Sequence, residues 1–237
     1  MVNPLLELQN ISTGYGTIPV LHGVDLSIYE GDIYALLGPN GGGKSTMLKV
    51  CSRQIEPWSG SLKVAGRSME GVTPEDLAKA GVCTIPEGKG IFPNLSVDEN
   101  LIMMTHSGQE LSEIESVVFE RFPQLSNKRK QLAGTLSGGE QQMLSMARAL
   151  STNPKVLLLD ELSMGLAPII VKDLYTIVAQ LAEEGIGVLV VEQFARTVLG
   201  VATRAGILIN GKIISEGSPD ELEDQLSDAY LGTKGNI

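Results

Sequence analysis

The chain has 237 residues, an apolar fraction of 43% and a formal net charge of −10. This length suffices for one large hydrophobic core, and no apolar run approaches the roughly 20 residues of a membrane-spanning helix. Because affinity for nucleic acid depends on Lys and Arg that neutralise phosphates, the acidic balance argues against DNA or RNA as the main partner. The N-terminal segment has neither a basic region nor an apolar run, so we expect no secretory signal.

The N-terminal part is predicted to form antiparallel strands. Leu5–Ile11 and Val20–Ile28 alternate apolar and polar residues, a pattern typical of strands with one solvated face. Between them Tyr15 lies in a turn flanked by glycines, where its aromatic face is available to a purine ring. The alternative is that Tyr15 is simply a turn residue.

The next predicted strand leads into a phosphate-binding loop. Ile33–Leu37 is a continuous apolar run, typical of a buried parallel strand, and Lys44–Arg53 has a helical pattern. The glycines between them allow backbone N–H groups to point at phosphate oxygens. Lys44 is expected to contact the β- and γ-phosphates, and the Ser45 hydroxyl is expected to bind Mg²⁺. The predicted loop consists of Gly38, Pro39, Asn40, Gly41, Gly42, Gly43, Lys44, Ser45 and Thr46.

The middle of the chain is predicted to be mainly helical. After the short apolar strand Val82–Ile85, only helical patterns occur from Asp98 to about Gly134, which indicates a helical lobe inserted into the core. Ser137 and two glycines then precede a helix at Glu140–Leu150. A serine caps a helix at this position, and bare glycine amides can approach an anion. Taken alone, an ordinary cap without a ligand explains this pattern.

Two adjacent acids follow the apolar strand Val156–Leu159. Unpaired charges at a buried strand end are costly, and a Mg²⁺·ATP site gives them a function. Asp160 is predicted to hold the metal or its water, opposite Ser45. Glu161 is predicted to polarise the attacking water as general base, a contribution of about 10²–10⁴-fold in rate.

The C-terminal part continues the alternation of helices and strands. A helix is predicted at Ile169–Glu183, a buried strand at Val188–Val191 and a further helix at Phe194–Val201. A turn dipeptide separates Gly206–Asn210 from Lys212–Ser215, which predicts a hairpin. The interleaved elements together predict an α/β fold in which helices cover a mostly parallel sheet.

The runs GPNGGGKST, LSGGEQQ and VLLLDE occur in this order, and the chain resembles the ATPase subunits of ABC transporters over residues 5–232. The resemblance implies a P-loop NTPase core with a mostly parallel sheet, an antiparallel β subdomain and an inserted helical lobe. It predicts one domain, with 5–86 and 136–232 as core and about 87–135 as lobe.

In this family each ATP lies between the phosphate loop of one subunit and the signature residues of another, so the resemblance implies an obligatory dimer. The signature segment is LSGGEQQ, Leu136–Gln142. Its implied ATP-binding residues are Ser137, Gly138, Gly139 and Glu140.

The resemblance also assigns roles to three residues outside these runs. An aromatic residue at the place of Tyr15 stacks on adenine. Glu87 stands where most members have a Gln that ligates Mg²⁺, and a carboxylate can still do so. Gln193 stands where most have a catalytic His that contacts the γ-phosphate; it can donate a hydrogen bond but cannot carry a proton. Leu162 replaces the usual Pro, from which we expect only a small change in loop stiffness.

The runs IPEGKGIF, SMGLAP and VEQ, with the C-terminal AYLG at 229–232, resemble one subgroup, the ATPase subunits of branched-chain or hydrophobic amino acid uptake systems. This implies a second ATPase subunit, in a homodimer or a heterodimer, and two transmembrane permease subunits. A periplasmic or extracellular solute-binding protein would be an indirect partner. The implied location is the cytoplasmic face of the cell membrane.

Other functions remain open at this point. Near relatives carry urea, amides or other small solutes. ABC proteins that act on ribosomes generally have two ATPase domains, and those that act on DNA carry a long coiled coil that is absent from this sequence. A regulatory ABC module without turnover would fit Glu87 and Gln193, but Glu161 argues against it.

Overall fold

The computed structural model describes residues 3–88, 90–193 and 195–223. Within these ranges it contains ten strands and eight α-helices. The strands are β1 (Leu6–Tyr15), β2 (Ile18–Ile28), β3 (Ile33–Leu37), β4 (Ser59–Val64), β5 (Arg67–Ser68), β6 (Val82–Ile85), β7 (Val156–Asp160), β8 (Gly187–Glu192), β9 (Arg204–Ile209) and β10 (Lys212–Gly217). The helices are α1 (Lys44–Cys51), α2 (Pro74–Lys79), α3 (Val97–Ile102), α4 (Leu111–Arg121), α5 (Pro123–Ser126), α6 (Gly138–Leu150), α7 (Pro168–Glu183) and α8 (Ala195–Leu199).

Two sheets organise these strands. The smaller sheet has the order β2-β1-β4-β5 and is antiparallel throughout. The larger has the order β10-β9-β3-β8-β7-β6, in which only β10 is antiparallel to its neighbour. Since β9 pairs with β3 in parallel, the predicted hairpin is part of the core sheet. The predicted α/β architecture, with a parallel core and an antiparallel β unit, is confirmed.

The predicted elements are present, with shifts at their ends. β1 and β2 extend to Tyr15 and Ile18, which pair with each other across a two-residue turn. In the middle of the chain the helices α3, α4 and α5 account for the predicted helical lobe. The predicted helix starting at Phe194 is observed from Ala195, because Phe194 lies outside the described residues; the AYLG run at 229–232 also lies outside them.

Sequence patterns missed β4, β5 and α2. These elements are short: β5 has two exposed residues, α2 buries only Leu77, and β4 buries only Leu62 and Val64. Elements of this kind carry little hydrophobic periodicity, so the sequence signal is weak.

The central strand β3 is buried on both faces. Ile33, Ala35 and Leu37 belong to a hydrophobic cluster with residues of α3, α4, α6 and α7. Tyr34 and Leu36 belong to a second cluster with residues of β1, β2, β4 and α1. Because alternate side chains of a strand point to opposite faces, both faces require apolar residues, which explains the run without alternation.

The register of the parallel strands aligns their carboxyl ends. The loops that follow β3, β6, β7 and β8 therefore leave the sheet at one edge, the usual place for a ligand in an open α/β sheet. The aligned pairs near this edge are Leu37 with Glu192, Asp160 with Val191, and Ile85 with Leu159.

Candidate functional site

The phosphate loop (Gly38–Thr46) is packed closely against β9. Gly38 has a φ of 151°, and a Cβ at this residue would lie 2.1 Å from the carbonyl oxygen of Leu208. Gly43 has a φ of 109° and is the N-cap of α1, with no side chain to bond the first turn. The N–H groups at this helix start are therefore available to an anion such as a phosphate.

Lys44 organises the loop from within. Its ammonium group donates hydrogen bonds to the carbonyl oxygens of Gly38 at 2.7 Å and Pro39 at 3.1 Å, so the loop curls around a positive charge. Burial lowers the pKa of Lys44, and the negative charges of Glu161 and Asp160 oppose this effect. The residue is thus held at the same edge as the acids.

The acids after β7 share one electrostatic environment with Glu87. Burial, followed by the charges of Glu161 and Glu87, raises the pKa of Asp160 to about 6, while Lys44 acts in the opposite direction. Burial and then Glu87 also raise the pKa of Glu161. The structure therefore brings Asp160, Glu161 and Glu87 together, and the charges that act on Lys44 are those of Glu161, Asp160 and the buried Glu192.

This donor set fits Mg²⁺. Carboxylates and the exposed Ser45 hydroxyl are hard oxygen ligands, and Mg²⁺ is usually held by one or two carboxylates plus substrate phosphates and waters. Among the described residues, no cluster of three or more His, Cys, Asp or Glu could hold a metal ion by itself. A bound divalent cation would also offset the excess of negative charge.

Tyr15 lies at the rim of the phosphate loop. Its hydroxyl is 3.4 Å from Thr46 Oγ1 and accepts a hydrogen bond from Lys49 Nζ at 3.3 Å. These contacts lower the pKa of Tyr15, with the bond to Thr46 as the largest cause. The side chain is 46% exposed, so a ring face is accessible next to the loop.

The signature segment begins with a helix cap at the start of α6. Ser137 caps α6: its hydroxyl accepts from the Glu140 N–H, and the Glu140 carboxylate accepts from the Ser137 N–H. Lys128 donates to Glu140 at 2.7 Å. Burial raises the pKa of Glu140, but the hydrogen bonds from Lys128 and Ser137 outweigh it and lower the pKa overall. The side-chain contacts of Ser137 and Glu140 thus stay within residues 128–140.

Gly138 and Gly139 are the first two residues of α6. Gly139 packs under Ile170, where a Cβ would lie 2.5 Å from the Ile170 Cγ2. Gln193 is half-buried and directly follows β8. Because Leu37 pairs with Glu192, Gln193 and Gly38 leave the sheet at the same level.

Sequence reasoning missed Glu192, the last residue of β8. It is only 1% exposed. Its carboxylate accepts hydrogen bonds from the Ser163 N–H at 2.9 Å, the Ser163 hydroxyl at 2.9 Å and the Tyr175 hydroxyl at 2.7 Å. The signal in the sequence was an acid that ends an otherwise apolar strand.

A glycine loop around a buried lysine, next to acids at a strand end, defines the class of P-loop nucleotide-binding ATPases. The sequence profile of the ABC transporter family matches residues 21–163. The chain belongs to this family and is one of its ATPase subunits, for which ATP hydrolysis is the family activity.

Three known proteins illustrate the similarity. The chain is 40% identical to the high-affinity branched-chain amino acid transport ATP-binding protein BraG of Pseudomonas aeruginosa, over 96% of this chain and 100% of BraG. It is 33% identical to the lipopolysaccharide export system ATP-binding protein LptB of Haemophilus influenzae, over 96% and 97%. The solved ADP conformation of MJ1267, an ATP-binding cassette of an ABC transporter, superimposes with a TM-score of 0.86 at 26% identity, over 97% and 99%.

These similarities confirm the predicted family and the ABC ATPase fold. In the part of the chain that the structure describes, no helix has the length and apolar character needed to span a bilayer.

Proposed function

We propose that this chain is the ATP-hydrolysing subunit of an importer for branched-chain or other hydrophobic amino acids. The observation that carries this proposal is the 40% identity to BraG over nearly the whole of both chains. The identity to LptB, which serves lipopolysaccharide export, is lower at 33%. Importers of urea, amides or other small solutes are the second candidate, because the solute is selected by other subunits.

In this proposal the described edge of the sheet binds Mg²⁺·ATP. Lys44 and the loop N–H groups hold the β- and γ-phosphates, and Tyr15 stacks on the adenine. Ser45, Asp160 and Glu87 hold Mg²⁺, which neutralises charge on the phosphates. The carboxylates that repel one another around Lys44 support this assignment, because a divalent cation relieves their repulsion.

Glu161 acts as the general base on the attacking water. Its raised pKa brings it nearer to the working pH, which favours proton transfer. Gln193 donates a hydrogen bond to the γ-phosphate. The amide of Gln193 cannot carry the proton. Glu161 is therefore the general base in this proposal, without help from Gln193.

A second ATPase subunit completes each site in this proposal. The hydroxyl of Ser137 and the amides of Gly138 and Gly139 contact the γ-phosphate bound by the facing subunit. The Ser137 oxygen accepts from Glu140 within its own helix, which leaves the hydroxyl proton available to a phosphate. Glu140 lies next to the same nucleotide, with its charge balanced by Lys128.

The helical lobe is proposed to contact one of the two permease subunits at the cytoplasmic face of the membrane. Four large apolar side chains of this region are 42% to 49% exposed, and an amphipathic helix of a membrane partner can cover such a surface. A solute-binding protein outside the membrane would deliver the solute to the permease. The exposed residues are Phe92, Ile102, Met103 and Leu132.

The proposal is tested by uptake in the native cells. Deleting the gene should abolish uptake of radiolabelled leucine, and the wild-type gene should restore it. A copy carrying Glu161→Gln should be expressed equally and restore nothing. Unchanged leucine uptake with loss of urea uptake, or a defect in lipopolysaccharide export, would contradict the proposed cargo.

A further inference from the structure

The Glu192 carboxylate is a buried charge with an unusual set of partners. A charge in this position is costly unless it is well hydrogen-bonded. Three donors satisfy it: the N–H and the hydroxyl of Ser163, and the hydroxyl of Tyr175. Ser163 belongs to the loop after β7 and Tyr175 to α7, so one carboxylate joins β8 to two other elements.

The loop that Glu192 holds is the one that carries Glu161. We call residues Asp160–Met164 the catalytic turn. Glu161 has a φ of 49°, the left-handed region that non-glycine residues rarely adopt. Such a conformation persists only where the surroundings determine it. The fixed points of this turn therefore decide where the Glu161 side chain points.

Two backbone N–H groups that follow Asp160 in the catalytic turn donate hydrogen bonds to β8. The Glu161 N–H donates to the Val191 carbonyl at 2.9 Å, and the Ser163 N–H donates to the Glu192 carboxylate at 2.9 Å. Glu161 is thus bonded directly to β8, and it lies two residues before Ser163, which is also bonded to β8. The bond from Glu161 joins two backbone groups. The bond from Ser163 depends on the Glu192 side chain, so a substitution of Glu192 can remove it.

We propose that Glu192 is a positioning residue for ATP hydrolysis, which holds Glu161 in place through its hydrogen bonds to Ser163. The hydrogen bond from the Tyr175 hydroxyl holds the Glu192 carboxylate in position. Hydrogen bonds to an ionised group are stronger and shorter than neutral ones, and a fully satisfied buried network is rigid. The inference rests on the proposed role of Glu161 as general base.

Steady-state ATP hydrolysis by the purified transporter complex tests this inference. Misplacing a catalytic group by about 1 Å can cost about 100-fold in rate. We expect kcat to fall about tenfold with Glu192→Gln and about threefold with Tyr175→Phe. The KM for ATP should stay within about twofold, because neither residue is assigned to nucleotide binding.

Tyr34→Phe is the matched control. It also deletes one buried tyrosine hydroxyl, and that hydroxyl interacts with Glu216 of β10 and not with the catalytic turn. Its kcat should equal the wild-type value. A merely structural role of Glu192 would lower the melting temperature and leave the kcat of the folded protein unchanged, and this result would overturn the inference. If Glu192→Gln does not fold, Tyr175→Phe and Ser163→Ala replace it, because each keeps Glu192 and removes one hydroxyl that donates to it. A lower kcat in these variants supports the inference, and an unchanged kcat overturns it.

A double substitution separates this inference from the proposed function. If Glu192 acts through Glu161, adding Glu192→Gln to Glu161→Gln should reduce the residual rate no further. A further tenfold loss in the double variant would overturn the inference. If Glu161→Gln alone left hydrolysis unchanged, the assignment of the base would fail instead.

Discussion

The two halves of the proposed ATP site are built in different ways. The phosphate loop, the acids after β7 and Glu87 meet because the strand register aligns their positions at one edge of the sheet. In the signature segment, the side-chain hydrogen bonds of Ser137 and Glu140 among the described residues are those of the α6 helix cap and the bond from Lys128. The geometry of the first half therefore depends on the core sheet. In the second half, a helix cap holds Ser137 and Glu140, which are proposed to face another subunit. This difference implies that substitutions in the phosphate loop impair ATP binding by the isolated subunit, whereas those in the signature segment impair only hydrolysis by the assembled site.

The largest effect is expected for Glu161→Gln. The variant should lose hydrolysis by about 10²–10⁴-fold, the contribution of a general base, and should still bind ATP because the phosphate loop is intact. Steady-state hydrolysis and binding of a fluorescent ATP analogue measure the two properties. Retention of near-normal turnover would show that this half of the site has been assigned wrongly.

Ser137→Ala tests the other half. Loss of a hydrogen bond to a charged phosphate costs about 1.5–3 kcal/mol, which corresponds to a decrease of about 10- to 100-fold in hydrolysis by the complex. ATP binding by the isolated subunit should not change, because Ser137 contacts the nucleotide that the facing subunit binds.

Ser96→Ala is the matched control for this prediction. Ser96 and Glu99 form the same capping box at α3 as Ser137 and Glu140 form at α6. Both variants should lose about 1 kcal/mol of stability through the missing cap. Only Ser137→Ala should reduce hydrolysis; an equal loss in the two variants would indicate that the cap alone matters.

A smaller effect is expected for Lys128→Met. Without this partner the Glu140 carboxylate is left uncompensated next to the proposed nucleotide, so hydrolysis should fall about two- to fivefold, in line with a partly exposed ion pair. The decrease should shrink at high salt because of screening. Lys130→Met is the control, and an equal effect of both substitutions at every salt concentration would contradict the proposed role of Lys128.

The smallest effect concerns pH. The pKa of Asp160 is raised to about 6 in the protein without nucleotide, above about 3.9 for an unfolded Asp. The folded state then holds the proton more tightly. The stability contribution of Asp160 is therefore full below about pH 3.9 and is lost as the pH rises through about 6.

Mg²⁺ binds the ionised carboxylate, so added Mg²⁺·ATP should raise the melting temperature more at pH 7.5 than at pH 5.5, by about a few degrees. Thermal unfolding measures this gain, and Asp160→Asn should make it nearly independent of pH. A larger gain at pH 5.5 in the wild-type protein would contradict the assignment of Asp160 as a metal ligand.

The sequence predicted the loop, the strands and the acids of the first half, but not the hydrogen bonds around Glu192. Glycine spacing and the apolar runs Ile33–Leu37 and Val156–Leu159 identify the loop, the strands and the acids, because burial on both faces imposes a strong pattern. The partners of Glu192 could not be read in this way. Ser163 and Tyr175 are 29 and 17 residues away from it, and only the packing of the loop after β7 and of α7 against β8 brings them together.

The partner of Lys128 could not be predicted from the sequence either. In the sequence Lys128 is the first of three adjacent basic residues, whereas the structure pairs it with Glu140 and pairs the adjacent Arg129 with Asp98 and Glu115. These ion pairs join segments that are distant in the sequence. Charge patterns along the chain therefore indicate where cations lie but not which acids they meet.

The most direct test is a structure of the assembly isolated from native membranes, with Glu161→Gln and Mg²⁺·ATP. We predict that the γ-phosphate contacts Lys44 of one ATPase subunit and the signature serine of the facing subunit, with Ser137 of this chain contacting the partner's nucleotide. ATP bound by a single subunit, with Ser137 exposed to solvent, would contradict the central claim that each site is shared.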